Sequence, residues 1–184
     1  MMTDEITYRV ASAADAAAIG RVQVESWRES FRGTLDQAWL DSLSVEGRTE
    51  SYRQRLTDKS EFYRLLVAED KDEVIGICDV GAAHDEENFG CAAQLYSLYL
   101  KINYQRQGIG RELFRRASAL LVADGRNSMY LEALAENPYR HFYEQLGGEL
   151  VARGQLERFG REYMTVFYKW PDLAQTLRTL TRRA

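Results

Sequence analysis

One stretch of the sequence, residues 103–116 (NYQRQGIGRELFRR), most restricts what this chain can fold into. It joins residues 93–100, an apolar run typical of a β-strand, to a segment whose apolar side chains recur at helical spacing. Gly108 and Gly110 stand where that helix should begin, among basic and amide side chains. The first amides of a helix lack internal partners, and the helix dipole favours negative charge near them. The stretch therefore predicts a phosphate-binding site between a strand and a helix.

Size and composition indicate one globular domain. The chain has 184 residues, enough to bury about two thirds of the surface that its unfolded form exposes. A net charge of -4 argues against a general affinity for nucleic acid. Cys78 and Cys91 belong to no metal-binding pattern, and we see neither a secretory leader nor an apolar run of membrane-spanning length. We therefore expect a cytoplasmic protein that needs no metal and binds neither nucleic acid nor a membrane.

The apolar period alternates between helix and strand along the chain. Strands are predicted at residues 6–11, 62–70, 73–83, 93–100, 128–136, 149–159 and 161–170. Helices are predicted from Ser12 to about Gly33, in a helical zone at residues 35–56, from the paired glycines to Gly125, and at residues 137–148 with Asn137 as N-cap. We therefore expect one α/β domain at residues 6–170 and a tail, residues 171–184, with the composition of a short basic helix.

Two known nucleotide-binding motifs do not fit residues 103–116, which narrows the choice of ligand. The Walker pattern GxxxxGK[ST] is absent. The dinucleotide fingerprint fits only in part: Glu132 lies at a suitable distance, but Leu113 stands where the third glycine should be. The alternative that this stretch is only a helix N-terminus with solvated charges, and binds no ligand, remains open at this point.

Two motifs resemble those of the GCN5-related N-acetyltransferase (GNAT) family. Its pyrophosphate loop reads Gln/Arg-x-x-Gly-x-Gly/Ala, which residues 105–110 (QRQGIG) match. Residues 137–147 (NPYRHFYEQLG) are similar to the family's Asn-x-x-x-x-x-Tyr-x-x-x-Gly helix, and a helix plus a strand separate the two motifs as they do in the family. Residues 26–35 (SWRESFRGTL) are also similar to a subgroup with Trp-Arg-x-x-Tyr/Phe-x-Gly at the bend between the first two helices.

The resemblance implies the fold and the activity of that family. The fold would be a single α/β domain with a mixed, mostly antiparallel sheet of six or seven strands, splayed at its centre and flanked by about four helices. The activity would be direct transfer of acetyl from acetyl-CoA, as co-substrate, to a primary amine of a small molecule or peptide, with no metal. A non-catalytic module that binds acyl-CoA is the alternative, and a homodimer is compatible with either.

The resemblance also implies a coenzyme site. The pantetheine arm would pair with the end of the strand before the loop, and the loop amides would hold the pyrophosphate. An amide-bearing ligand suits a gap between splayed strands, because it satisfies strand N–H and C=O groups there. The coenzyme-binding residues predicted in this way are Leu98, Tyr99, Leu100, Gln105, Arg106, Gln107, Gly108, Ile109, Gly110, Arg111 and Asn137.

The catalytic acid and base are predicted separately. Tyr143 matches the tyrosine that related enzymes direct at the thioester sulfur, so we expect it to act as general acid, with packing beside its apolar neighbours as the alternative. Many relatives carry a glutamate at or near the position of Gln94, and an amide cannot accept a proton at neutral pH. Glu132 is therefore the first candidate for the base, and Asp79 or a chain of waters is the alternative.

The acceptor is predicted to bind beside the bend between the first two helices, where Trp27, Arg28 and Phe31 lie. Aromatic walls with nearby carboxylates would suit a cationic amine, whereas a pocket dominated by Arg28 would suit an amine that also carries an acidic group. We expect the acidic group, because Arg28 adjoins the bend. The alternative is that Trp27 and Phe31 only pack the first helix onto the sheet.

Overall fold

One seven-stranded sheet organises the computed structural model, which describes residues 6–58, 62–83 and 88–182. The strands are β1 (Thr7–Val10), β2 (Tyr63–Asp70), β3 (Glu73–Ala82), β4 (Ala93–Leu100), β5 (Met129–Leu134), β6 (Glu149–Arg158) and β7 (Arg161–Trp170). Their order across the sheet is β1-β2-β3-β4-β5-β7-β6, and only β4 and β5 run parallel to each other. The predicted fold class, a mixed and mostly antiparallel sheet, is confirmed.

Six helices flank this sheet within the described residues. They are α1 (Ala16–Ser30), α2 (Gln37–Ser42), α3 (Val45–Thr57), α4 (Ile109–Ala123), α5 (His141–Gln145) and α6 (Leu173–Arg182). The expectation of about four was too low, partly because the helical zone at residues 35–56 divides in two. Leu43 has extended backbone, and Asp36 and Ser44 each cap a separate helix by accepting backbone N–H groups. Residues 173–182 of the tail form the sixth helix, α6.

The helix predicted at residues 137–148 is shorter than expected. It begins at His141, and Asn137 instead closes the preceding turn, where its Oδ1 accepts the N–H of Tyr139 at 2.9 Å. The tight hairpin between β2 and β3 is as predicted, with positive φ at Lys71 and Asp72. Of the polar loop predicted before β4, residues 84–87 lie outside the described residues.

The centre of the sheet is splayed, as predicted. β4 and β5 pair only at Ala93 with Met129 and at Gln94 with Tyr130, and beyond those pairs the two strands separate. A β-bulge adds to the divergence: Asp79 of β3 pairs with Ser97 of β4, but the next residue, Val80, pairs with Leu95. Tyr96 is therefore the extra residue, and a bulge of this kind bends its strand. The gap opens toward the end of β4 that leads into α4.

Apolar packing covers both faces of the sheet. On one face α4 and α6 pack against the strands through a cluster that includes Phe114, Trp170 and Leu173. On the other face α1 and α3 pack through a second cluster that includes Ile19 and Tyr52. Along residues 6–58, 62–83 and 88–182, no helix is long and apolar enough to span a membrane. The splay thus joins the two faces of an otherwise well-covered sheet.

Candidate active site

A cavity of about 670 Å³ opens where β4 and β5 diverge. It is bounded by the end of β4, the loop before α4, the turn before α5, and α5 itself. The predicted coenzyme-binding residues that line it are Leu98, Tyr99, Leu100, Gln105, Arg106, Gly108, Gly110, Arg111 and Asn137. Trp27, Phe31 and Tyr143, predicted for the acceptor and for catalysis, line it as well. The two sequence motifs, far apart in the chain, thus meet around one cavity.

Gly108 shapes the floor of this cavity at the start of α4. Its φ of +84° lies in the left-handed region, and the first helical bond runs from the N–H of Glu112 to its carbonyl. The N–H groups of Ile109, Gly110 and Arg111 therefore have no partner inside the helix. A left-handed residue followed by a helical one makes a concave group of N–H donors of the kind that binds anions. Phosphate is the natural ligand for such a site.

Gly110 has a different role, because it permits close packing. A Cβ added there would lie 3.3 Å from Cζ of Phe142 and 3.5 Å from Cδ2 of Leu98. At Gly110 the first turn of α4 thus lies in close contact with side chains of α5 and β4. A larger side chain would press the first turn of α4 away from the strand.

Three side chains, two in the loop before α4 and one in the first turn of α4, donate hydrogen bonds to backbone carbonyls of the protein. Nε2 of Gln105 donates to the carbonyl of Leu100 at 3.2 Å, and Nε2 of Gln107 donates to the carbonyl of Asn103 at 2.9 Å. Nη2 of Arg111 donates to the carbonyl of Leu180 in α6 at 2.5 Å. Gln107 and Ile109 do not line the cavity, and the Ile109 side chain is buried in the core. Those two residues can meet a ligand there only through their backbone N–H groups.

Tyr143 lies at the junction of the site. It is 9% exposed and packs against the rings of Phe142, Tyr168 and Trp170, with centroids 5.5–6.4 Å away. In the part of the chain that the structure describes, no protein group hydrogen-bonds its hydroxyl. Burial raises the pKa of Tyr143 above its usual value, with smaller contributions from Tyr99, Cys78 and Tyr168. The residue therefore packs in the core and also presents a neutral hydroxyl at the cavity wall.

A smaller cavity, of about 190 Å³, adjoins the first one. Glu132 of β5 and Ser97 of β4 line it, together with other residues of the splayed strands. The residues that border both cavities are Trp27, Phe31, Leu98, Tyr99, Asn137 and Tyr143. A group in the large cavity and a group in the small one can therefore meet beside Tyr143.

The aromatic residues predicted for the acceptor site have two roles, but Arg28 lies elsewhere. Trp27 and Phe31 line both cavities, and their ring centroids are 5.2 Å apart in a packed pair. Arg28 lines neither cavity; Nη2 donates to the carbonyl of Leu43 at 2.8 Å and Nε to that of Leu40 at 3.4 Å. Carbonyls at the end of a helix lack helical partners and attract a cation. The expected contact between Arg28 and the acceptor is therefore corrected.

The candidate bases differ in burial. Glu132 is exposed at the small cavity, whereas Asp79 of β3 is 1% exposed. Oδ2 of Asp79 accepts from Tyr63 at 2.9 Å, and Oδ1 accepts from Ser97. Oε1 of Gln94 accepts from the hydroxyl of Tyr130 at 2.9 Å. Sequence reasoning missed Ser97, although a lone small polar residue among the large apolar ones of β4 was a usable signal.

The two cysteines lie away from both cavities. Cys78 and Cys91 are buried free thiols that line neither cavity, and burial raises the pKa of both. Within the described ranges, no group of three or more His, Cys, Asp or Glu side chains could hold a metal ion. The cavities offer backbone donors, aromatic walls, hydroxyls and one carboxylate.

Comparison with known proteins identifies the family. A family profile described as "Acetyltransferase (GNAT) domain" matches residues 61–147. An uncharacterized N-acetyltransferase of Bacillus subtilis, YuaI, is 31% identical over 179 residues, which cover 97% of this chain and 99% of that protein. A probable N-acetyltransferase of Mycobacterium tuberculosis is 32% identical over 124 residues, which cover 64% of this chain and 66% of that protein.

Solved structures share the fold. PaiA N-acetyltransferase of Thermoplasma acidophilum, in complex with coenzyme A, is 20% identical with a TM-score of 0.71, over 90% of this chain and 99% of that one. YncA of Salmonella typhimurium, a putative acetyltransferase with its cofactor acetyl-CoA, is 24% identical with a TM-score of 0.67, over 92% of this chain and 94% of that one. The chain therefore belongs to the GCN5-related N-acetyltransferase family, whose enzymes use acetyl-CoA as co-substrate.

Proposed function

We propose that the protein transfers the acetyl group of acetyl-CoA directly to a primary amine. The observation that carries this proposal is the meeting of two cavities at Tyr143: one has phosphate-binding geometry, and the other is large enough only for a small group. The names of its relatives in B. subtilis and M. tuberculosis, and the coenzymes in the two solved structures, support it.

Acetyl-CoA would occupy the large cavity. Its pyrophosphate would accept hydrogen bonds from the free N–H groups at the start of α4, and Arg106, exposed at the cavity rim, would add charge. Its pantetheine amides would run along residues 98–100 of β4, where β5 has diverged and leaves backbone groups without a strand partner. Asn137 lines the same cavity beside the route to the thioester.

The thioester would lie beside Tyr143. A neutral amine attacks the carbonyl carbon, the C–S bond breaks, and the sulfur takes its electron pair. The tyrosine hydroxyl donates to the developing thiolate as general acid. Burial raises the pKa of Tyr143, but the same apolar surroundings also raise the pKa of the coenzyme thiol, so proton transfer between them remains feasible.

The acceptor would occupy the small cavity, and its lining indicates the class of amine. Of the described residues that line this cavity, only Glu132 is charged, and no Lys or Arg is among them. The walls include the aromatic rings of Trp27, Phe31, Tyr96 and Tyr99. Such a cavity favours an ammonium group on an apolar body, because both the carboxylate and the ring faces attract a cation. This proposal replaces the acidic group expected from Arg28.

Release of the coenzyme A thiol from acetyl-CoA tests the proposal, with phenethylamine and phenylalanine as acceptors. The two amines differ only in the carboxylate that phenylalanine adds. We expect kcat/KM to be at least about tenfold higher for phenethylamine, since a carboxylate would enter the small cavity unpaired and beside Glu132. Glu132→Gln should narrow that preference without changing acetyl-CoA affinity.

Two outcomes would contradict different parts of the proposal. Tight acetyl-CoA binding with no thiol release for any primary amine would favour a non-catalytic acyl-CoA-binding module. Equal kcat/KM for the two amines would leave the transferase in place and overturn the acceptor class.

A further inference from the structure

A buried acid lies directly behind the small cavity. We propose that Ser97 and Asp79 form a proton relay for the acceptor amine, in which Ser97 takes the proton at Oγ and Asp79 stores it. This inference rests on the proposed transferase function. It assigns the base to a pair of residues on β3 and β4, in place of the exposed Glu132.

The pairing of β3 with β4 builds the relay. Asp79 and Ser97 are direct partners across the two strands, immediately before the bulge at Tyr96. Ser97 lines the small cavity, whereas Asp79 does not and is 1% exposed. Oγ of Ser97 donates to Oδ1 of Asp79 in a short hydrogen bond. Ser97 therefore provides the direct connection between the cavity and the carboxylate.

Groups from four elements surround the carboxylate of Asp79. Tyr63 of β2 donates to Oδ2 at 2.9 Å, and Nη1 of Arg55 in α3 lies 3.8 Å from the same oxygen. The buried hydroxyl of Tyr52 in α3 lies beside Ser97, and on β4 Tyr99 interacts electrostatically with the acid, as does the neighbouring thiol of Cys78 on β3. The Arg55 side chain is 53% exposed, so water screens its charge.

These surroundings raise the pKa of Asp79 and so make its carboxylate a stronger base. Burial raises the pKa of Asp79 above its usual value, and the hydrogen bonds from Ser97 and Tyr63, with the charge of Arg55, oppose that rise. A carboxylate with a raised pKa accepts a proton at neutral pH more readily than one with the usual pKa. Gln94 cannot accept one, and its amide oxygen is bonded to Tyr130.

The protons balance along the relay. A primary ammonium, with a pKa of about 10.4 as for lysine, loses one proton to Oγ of Ser97 while the Ser97 hydroxyl proton moves to Oδ1 of Asp79. The freed lone pair attacks the thioester carbon, and the C–S bond breaks with its electrons on sulfur, which takes the Tyr143 proton. The second nitrogen proton restores Tyr143. Asp79 then returns its proton to water through Ser97.

The pH dependence of kcat/KM for phenethylamine tests the relay. In the wild type it should rise through the pKa of the relay, then level off until the amine itself deprotonates. In Asp79→Asn we expect a loss of about 10²-fold at neutral pH and no plateau, because only the free amine would react and its fraction grows tenfold per pH unit. Ser97→Ala should behave in the same way, and Ser97→Thr should restore the plateau.

Tyr63→Phe is the matched control. It removes a hydrogen bond from the same carboxylate, keeps the ring that stacks on Tyr96, and changes no residue that lines either cavity. That hydrogen bond lowers the pKa of Asp79, so its loss should move the rising limb to higher pH and keep the plateau. If the hydrogen bond from Tyr63 to Asp79 only supported strand pairing, Tyr63→Phe would lower thermal stability without moving the rising limb of the pH profile.

The outcomes separate the relay from the proposed function. A wild type that releases no thiol with phenethylamine or any other primary amine would overturn the transferase and the relay together. An active wild type whose plateau survives in Asp79→Asn and in Ser97→Ala would overturn the relay alone. If Asp79→Asn fails to fold, Ser97→Ala decides the question, because the Ser97 side chain is only partly buried and Asp79 keeps its hydrogen bond from Tyr63 in that variant.

Discussion

Replacing Gly108 by valine tests whether the start of α4 holds a pyrophosphate. The φ of +84° at this position is one that a β-branched residue rarely adopts. Strain of this kind costs roughly 1–3 kcal/mol. A Cβ here would meet no protein atom within 4 Å, so no clash within the protein adds to that cost. With about 2–4 °C per kcal/mol in a domain of this size, we expect Tm to fall by about 2–12 °C.

The effect on acetyl-CoA binding should be larger than the effect on folding. The branched side chain enters the open space in front of the free N–H groups and turns them from the ligand. A hydrogen bond to a charged group contributes about 1.5–3 kcal/mol, and the loss of two should weaken Kd by at least about 10²-fold. Isothermal titration calorimetry with acetyl-CoA measures this loss directly.

Gly125→Val at the other end of α4 is the matched control. Gly125 has a φ of +79° and open surroundings, but it does not line the large cavity. It should lose a similar amount of stability and bind acetyl-CoA as the wild type does. Wild-type affinity in Gly108→Val, or equal losses of affinity in both variants, would refute the proposed pyrophosphate site.

Three further predictions concern other parts of the molecule. Tyr143→Phe keeps the packed ring and removes the hydroxyl, so kcat should fall by about 10²-fold with unchanged calorimetric affinity for acetyl-CoA; an unchanged kcat, where chemistry limits the rate, would leave Tyr143 a packing residue. Arg28→Ala removes a guanidinium from the carbonyls at the end of α2, so thermal unfolding should show that the free energy of unfolding falls by about 1 kcal/mol. A raised acceptor KM in this variant would instead indicate that Arg28 binds the substrate. The Arg9 guanidinium lowers the pKa of Asp15 to about 2, so the stability that ionised Asp15 adds is complete above about pH 4 and is lost as the pH falls through about 2. Asp15→Asn should therefore lower the free energy of unfolding by about 1 kcal/mol at neutral pH after screening. Urea unfolding should show that this difference between variant and wild type vanishes near pH 2.

The cavity proposed for the coenzyme could be located from the sequence because its signals are local. A left-handed backbone at the start of a helix favours glycine, which Gly108 supplies. Tyr143 follows Asn137 at a fixed distance along one short segment, so a motif can record both. The strand, loop and helix are adjacent in sequence, and their geometry follows from a few neighbouring residues.

The acceptor half depended on contacts that no local pattern records. Arg28 was misplaced because its partners are carbonyls 12 and 15 residues away, at the end of a helix that periodicity alone had not separated from the next. The pairing of Asp79 with Ser97 depends on the register of two strands and on a bulge at Tyr96. Such register follows from the packing of the whole sheet.

The short pairing between β4 and β5 leaves the sheet with a mechanical hinge. Among the described residues, β4 and β5 pair at two positions only, so much of the resistance to bending at this joint comes from side chains such as Phe114 and Trp170 packed across it. Side-chain packing yields to small rotations more readily than a continuous ladder of hydrogen bonds. A coenzyme bound along β4 would restrict bending at this hinge. In hydrogen exchange, the amides of β1–β4 and β5–β7 should then become protected together, as one cooperative unit.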